Sequence, residues 1–381
     1  MDNDRKHIVF LARWYPHRYD PMLGLFVQRH AEAAALYNDI SVIYVHPDEN
    51  AVEKYEIVNE TFCKDAIHRV STIRVYYKKS KSRIVSLFRF FIANRKALKQ
   101  LPKPDIIHVH ILTRLGLIAL WHKWLHGTPY IITEHWSRYL TGNDFSGFFR
   151  KKLTKLVVRH ASTVTTVSEN LAQTMQKHGL TNPNYMVLPN VVDVNIFKIA
   201  PHQNAIPKII HISCFEDKSK NISGLLKSLK ILKDKQIPYQ AVLIGDGMDY
   251  ELMRRKTSEM QLNDRVSFTG LLQGQDLADA LASGDFLVLS SNYENMPVVI
   301  IEALACGLPV VSTNVGGISE IINESNGMLV PARNAEKLAD AMQEMLTKYH
   351  DYDANALRDC ITKKFSNETV GKLLNHIYHN I

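Results

Sequence analysis

Short apolar runs and longer amphipathic stretches alternate along this chain, and the alternation runs twice. Before Asn190 the runs are HIVFLA, ISVIYVH, IIHVHIL, YIITEH and TVTTVS; after it come KIIHIS, YQAVLIGDG, VSFTG, DFLVLSS, PVVST and GMLVP. Short β-branched runs bounded by turn residues read as buried strands, and strands alternating with helices read as βα units with parallel sheets. The Pro/Asn-rich stretch PNVVDVNIFKIAPHQNAIP divides the two series and predicts a linker near 190 to 207. The expected fold is therefore α/β, with one Rossmann-like domain over 1–190 and a second over 191–365. Ligands of such sheets bind beyond the carboxyl ends of the strands, so the site is expected in a cleft between the domains.

Composition agrees with this and narrows it. At 381 residues and 46% hydrophobic the chain can bury two ordinary cores. Its four cysteines, Cys63, Cys214, Cys306 and Cys360, are scattered without a CxxC or Cys/His cluster, which argues against a disulfide framework or a zinc site. The opening MDNDRKHIVFLARWYP carries acids before a short apolar run, as a first strand does and a signal peptide does not. Even IVSLFRFFIA is broken by Arg89, so no membrane span is expected and the predicted location is cytoplasmic.

Charge divides unevenly. Residues 1–190 hold 27 Lys+Arg against 15 Asp+Glu, whereas 191–381 hold 19 against 23. Nine of the basic residues lie between Lys78 and Lys103, interleaved with Leu87, Phe88, Phe90, Phe91 and Ile92, and five more between Phe148 and Arg159. Two readings fit: peripheral contact with anionic lipid at the inner face of a membrane, or amphipathic helices with aromatics in the core and a basic face in water. Nucleic acid is not the expected partner, since no helix-turn-helix, RNA-binding or zinc-finger pattern accompanies the charge.

The segment Glu294-Asn-Met-Pro-Val-Val-Ile-Ile-Glu302 carries the most chemistry. It follows the strand DFLVLSS, with Pro297 placed as the first helical residue and Gly307 placed to cap the end. Eight helical steps are about 12 Å, too far for the carboxylate pair of a retaining glycosidase but suited to gripping two ends of one long ligand. Between the two glutamates, the N–H groups of Asn295, Met296, Val298 and Val299 are expected to receive a phosphate, because a helix N-terminus favours anions and Pro297 has no N–H. His108 and His110 are assigned to opposite faces of their strand, which would leave at most one of them near a ligand. Asp351-x-Asp353 has the form of a metal-binding DxD but lies in a helical context with no strand before it, and no metal site is expected.

Glu294-x7-Glu302 with Ala303, Gly307, Pro309 and Val310 resembles the signature of the retaining glycosyltransferases of family 4, which have the GT-B fold. Leu188-Pro189-Asn190 to Asp193 and Phe197, Ile244 to Gly247, Val266 to Gly270, Gly316-Gly317 with Glu320, and Gly327 to Pro331 occur in that family's order, although Val191 replaces its inter-domain glycine. The resemblance implies two Rossmann-like domains facing across a cleft, with a terminal helix over 366–381 crossing back to the first domain. It also implies a donor sugar held by Glu294, a nucleotide ribose held by Glu302, and a diphosphate held by Lys220. His135 falls at a family histidine near the donor sugar, and Gly24 at the glycine of the first strand-to-helix loop. The family's arginine falls on Phe215 and its glycine after the lysine on Asn221; Lys218 is the nearest substitute cation.

The expected activity is retaining transfer of a hexosyl or N-acetylhexosaminyl group from a UDP- or GDP-linked donor to a glycan or lipid-linked acceptor. Surface polysaccharide or lipopolysaccharide assembly is the implied setting, with no cofactor beyond the sugar nucleotide and no metal. The alternatives are a sugar-nucleotide epimerase of the same architecture and a non-enzymatic polyanion-binding protein.

Overall fold

The computed structural model describes residues 5–63, 69–112, 114–140, 145–201 and 204–381. Contacts divide the chain into two units, Met1–Val191 together with Asn367–Ile381, and Val192–Ser366. Each is a Rossmann-like α/β layer structure.

The first unit holds β1 (His7–Ala12), β2 (Asp39–Asp48), β3 (Tyr55–Cys63), β4 (Arg69–Lys78), β5 (Ile106–His110), β6 (Tyr130–Glu134), β7 (Thr163–Thr166) and β8 (Tyr185–Val187). They form one sheet in the order β3-β4-β2-β1-β5-β6-β7-β8. The described pairings are parallel except that of β3 with β4. Every residue of β5, β6 and β7 is buried, as it must be where helices cover both faces of a parallel sheet. Ile8, Phe10, Val42 and Ile106 join Ala31 and Ala34 of the helix Leu25–Ala35 in one core, and the terminal helix Asn367–His379 adds Val370, Leu374 and Tyr378 to it.

The second unit holds β9 (Lys208–Ile212), β10 (Gln240–Ile244), β11 (Val266–Gly270), β12 (Phe286–Leu289), β13 (Val310–Thr313) and β14 (Gly327–Val330), all parallel, in the order β11-β10-β9-β12-β13-β14. The chain builds outward from β9 to one side, then returns to lay β12 on the other. The loops after β9 and β12 consequently diverge and leave a crevice at their carboxyl ends, where open α/β sheets bind ligands.

β3, β4 and β8 are absent from the elements the apolar runs predict. β3 reads YEIVNETFC, with polar residues at positions that a doubly covered strand fills with apolar ones. It lies at the sheet edge against β4, where water can solvate one side. The basic stretches also divide their aromatics. In the helix Arg83–Leu98, Phe90 enters the core while Phe88 is 64% exposed, and in the helix Phe148–His160 both Phe148 and Phe149 stand in solvent. Among the described residues, no helix is long and apolar enough to cross a membrane.

Candidate active site

The crevice of the second unit brings Lys220 and Glu294 together across 74 residues of sequence. Lys220 Nζ donates to Glu294 Oε1 at 2.6 Å, and Ser291 Oγ donates to the same oxygen at 2.8 Å. Both side chains are largely withdrawn from water, with exposures of 20% for Lys220 and 11% for Glu294. Burial alone would lower the lysine pKa. Glu294, with Cys214 and Glu216 behind it, more than offsets this and raises it above the ordinary value, so the ammonium stays charged.

Local backbone chemistry places this pair. The single-turn helix Asp217–Lys220 stops at Asn221, whose left-handed conformation (φ 50°, ψ 44°) starts the helix Ile222–Asp234. Asparagine is the non-glycine residue best suited to that region, which accounts for its standing where the family has glycine. Four hydrogen bonds then join the Lys220 turn to the loop after β12: Asn292 N to Ser219 O, Asn292 Nδ2 to Lys218 O, Ser290 Oγ to Lys220 O, and Asn221 Nδ2 to Ser290 O. On the other side, Gly316 at φ +60° passes so close that a Cβ there would lie 2.0 Å from the Glu294 carbonyl oxygen. Gly317 N donates to Asn295 O at 2.8 Å.

The helix that follows runs Val298–Ala305, and Pro297 is its cap in extended conformation (φ −69°, ψ 122°) and not its first helical residue. Proline clashes with an α conformation at the residue before it, which keeps Met296 out of the helix. Only the second half of the Glu294–Glu302 spacing is therefore helical, and the 12 Å rise expected of eight helical steps does not apply. The first-turn N–H groups of Val298 and Val299 have no intrahelical partner by position, while Ile300 N closes on Pro297 O at 3.2 Å. Asn295 and Met296 precede the helix and are buried, as is Glu302, 3% exposed on its inner face. Burial first, and Glu302 second, push the Cys306 thiol up to about 12.

Phe215, at the position of the family's arginine, is a core residue beside Tyr250 and Phe268, with ring centroids 5.1 and 6.0 Å away. Lys218 is exposed, and its recorded tie to the loop after β12 is through its backbone carbonyl. Asp353 caps the helix Ala354–Phe365, accepting from the N–H groups of Asn355 and Ala356. Two neighbours of the ion pair escaped the sequence reading, Ser291 and His211. His211 contacts Val288 O and Ser213 Oγ, each at 2.9 Å, and burial holds it at about 4, so its imidazole is neutral beside Lys220. A histidine at the carboxyl end of KIIHIS was the available signal.

In the first unit, His135 follows β6 and is buried with His30, His108 and His110. His135 Nε2 lies 3.2 Å from His110 Nδ1, and burial followed by His30 and His108 holds it well below the ordinary histidine value. The assignment of His108 and His110 to opposite faces was wrong: residues two apart on a strand share a face, and their rings stand 4.1 Å apart. His30, His110 and His135 bring ligand atoms within 4.8 Å of one another, but both ring nitrogens of His30 already face carbonyls, Phe26 O at 3.0 Å and Pro189 O at 2.9 Å. Glu134, also unassigned from sequence, organises these loops: Oε1 accepts from His135 N and Trp136 N, and Oε2 from Leu112 N. Gly24 has a packing reason for being glycine, since at φ +70° a Cβ would lie 2.3 Å from the Trp14 carbonyl group.

Comparison with known proteins agrees with this architecture. The family models described as Glycosyltransferase Family 4 and Glycosyl transferases group 1 match residues 26–196 and 206–348. The chain is 25% identical over 98% of its length, and 98% of the relative's, to TuaC, a glycosyltransferase assigned to teichuronic acid biosynthesis in Bacillus subtilis (strain 168). It is 26% identical to N-acetyl-alpha-D-glucosaminyl L-malate synthase of Bacillus anthracis over 73% of this chain and 75% of that one. Among solved structures, sucrose-phosphate synthase from Thermosynechococcus elongatus superposes with a TM-score of 0.79 at 19% identity, covering 99% of each chain. Anabaena HepE in complex with UDP and glucose superposes with a TM-score of 0.77 at 18% identity, over 99% of this chain and all of that one. With one model on each half, a relative along its whole length and a GT-B architecture, the chain belongs to the family 4 (group 1) glycosyltransferases.

Proposed function

We propose that this glycosyltransferase moves a hexosyl or N-acetylhexosaminyl group from a UDP- or GDP-linked donor to a glycan or lipid-linked acceptor, with retention and without a metal ion. The observation that carries the proposal is the Lys220–Glu294 contact at the crevice after β9 and β12, beside the open first turn of the helix Val298–Ala305. Breaking a sugar–diphosphate bond leaves negative charge on the phosphate, and a charged lysine with oriented N–H groups stabilises it where it develops. Lys220 with Val298 and Val299 supplies that charge, with Lys218 as a further cation at the rim; Asn295 and Met296 shape the phosphate turn. Glu294 orients the sugar and Glu302 the ribose, while Gly24 and His135 serve from the first domain. In front-face retention the anomeric carbon becomes oxocarbenium-like as the bond to phosphate breaks. The acceptor oxygen then bonds to the same face, and its proton passes to the departing phosphate.

The relatives support a glycan or lipid setting: TuaC is assigned to teichuronic acid, and another relative is a phosphatidyl-myo-inositol mannosyltransferase of Mycobacterium leprae (strain TN). A role in surface polysaccharide or lipopolysaccharide assembly at the inner face of a membrane follows the same line, the exposed Phe88, Phe148 and Phe149 meeting lipid among basic residues. The test is a panel of nucleotide sugars screened for thermal stabilisation, followed by transfer assays with the stabilising donor. Glu294→Ala should abolish transfer in a folded protein, the product anomer should match the donor, and EDTA should leave turnover unchanged. An active Glu294→Ala enzyme would remove this site from the reaction, and epimer formation from donor alone would replace transfer with epimerisation.

A further inference from the structure

A second cavity, of about 590 Å³, lies wholly within the first domain, at the carboxyl ends of β1, β5 and β6. Its floor comes from the loops after those strands, and its sides from the helices Arg83–Leu98, Arg114–His126 and Phe148–His160. Four arginines line it, Arg13, Arg114, Arg138 and Arg150, and no described lining residue is acidic. Arg138 is fixed, lying 3.8 Å over the Trp136 ring and donating to Leu112 O at 3.0 Å. Arg13 and Arg114 expose their side chains to the cavity, and no described carboxylate forms an ion pair with either. Partial withdrawal from water by the cavity walls, and then the neighbouring Arg114 and Arg138 charges, lower the Arg13 pKa. The buried Glu134 carboxylate acts on Arg138. Holding Arg13 and Arg114, which have no described ion-pair partner, beside further cations is unfavourable in the empty protein, and an oxyanion that bridges them relieves it. Guanidinium groups match phosphate oxygens two at a time, and four cations exceed what one carboxylate balances.

We propose that this cavity binds an acceptor through a phosphate or diphosphate group, so that the enzyme glycosylates a phosphate-bearing glycan or glycolipid. The proposal deepens the transferase reading given above and rests on it. Phe90, Leu117, Leu153 and Val157 complete the walls, giving an apolar lining next to the charged floor, as an amphiphile with an anionic head requires. The helix Phe148–His160 that supplies Arg150 and Leu153 also carries Phe148 and Phe149, 74% and 79% exposed. A lipid-borne phosphate and a soluble sugar phosphate share the head-group chemistry, and the assay separates them.

The full chain would be titrated calorimetrically, with saturating UDP present to fill the donor's diphosphate subsite, against inorganic pyrophosphate and against farnesyl diphosphate in phosphatidylcholine vesicles. Both probes should bind, and Arg13→Gln and Arg114→Gln should each weaken them at least about tenfold while UDP binding is kept as the sign of an intact fold. Arg150→Gln, on an exposed helix surface where folding is not at stake, should weaken them in the same sense. Vesicle-borne diphosphate binding more tightly than pyrophosphate, and losing that advantage in Phe148→Ser, would identify a lipid carrier; equal affinity would identify a soluble phosphate. Failure of wild type to bind either probe, or unchanged binding in the arginine variants, overturns the proposal. Probe binding without binding of either UDP or GDP would instead overturn the donor assignment alone.

Discussion

Replacing Lys220 with methionine keeps most of the aliphatic length and removes the ammonium. The Glu294 carboxylate is then left 11% exposed, with the Ser291 hydroxyl as its recorded side-chain donor. Orphaning one member of a fully buried ion pair costs about 3–5 kcal/mol, and the remaining hydroxyl and partial exposure bring the expected loss here to about 2–3 kcal/mol. In a domain of this size that is about 2–4 °C in Tm per kcal/mol. Turnover should fall by about 10²–10³ at saturating donor if the ammonium meets the leaving phosphate, the range for one preorganised electrostatic donor. The double variant Lys220→Met/Glu294→Gln removes the stranded charge, so its stability loss should be smaller than the sum of the two single losses by about 1–2 kcal/mol. Thermal unfolding of the four proteins and single-turnover kinetics on Lys220→Met measure the two effects separately. Turnover within threefold of wild type would refute the leaving-group role even if the stability cycle came out as expected. Strict additivity would refute the pairing itself.

Two further outcomes test other parts of the structure. Burial holds His30 and His211 at about 4 and His108, His110 and His135 well below the ordinary value. A lowered folded pKa means that the unfolded chain binds more protons, so stability is complete above about pH 6.5 and declines as pH falls toward 4. For His30 and His211 this amounts to about 2 kcal/mol each at pH 5 relative to pH 7, with the other three acting in the same direction, and a Tm constant over that interval would contradict their burial as neutral groups. Gly316→Ala should lose stability and turnover together, because its Cβ would collide with the Glu294 backbone. Gly270→Ala has a similar φ of +74° with open space around it and should show only a backbone cost of about 1–2 kcal/mol; equal turnover in the two would show that the Gly316 contact does not position Glu294.

What the sequence alone determined is what short-range physics can write into a string. Apolar runs such as DFLVLSS and KIIHIS specified doubly covered strands because every residue of a parallel strand must be apolar or hydrogen-bonded, and Gly and Pro marked their ends. Lys220 and Glu294 were legible as separate chemical groups on separate loops. Their meeting was not, since nothing local encodes that β9 and β12 lie side by side while β10 and β11 are built elsewhere. The same holds for the four arginines, drawn from positions 13, 114, 138 and 150 by two strand ends and two helices, where the charge count indicated only a basic half. β3 was missed because an edge strand need not be apolar. His108 and His110 were misplaced by an error of parity that the pleat itself corrects. Tertiary structure decided the pairings because side chains far apart in sequence acquire shared surroundings, and hence shifted pKa values and ion pairs, only when the sheet order fixes which loops are neighbours.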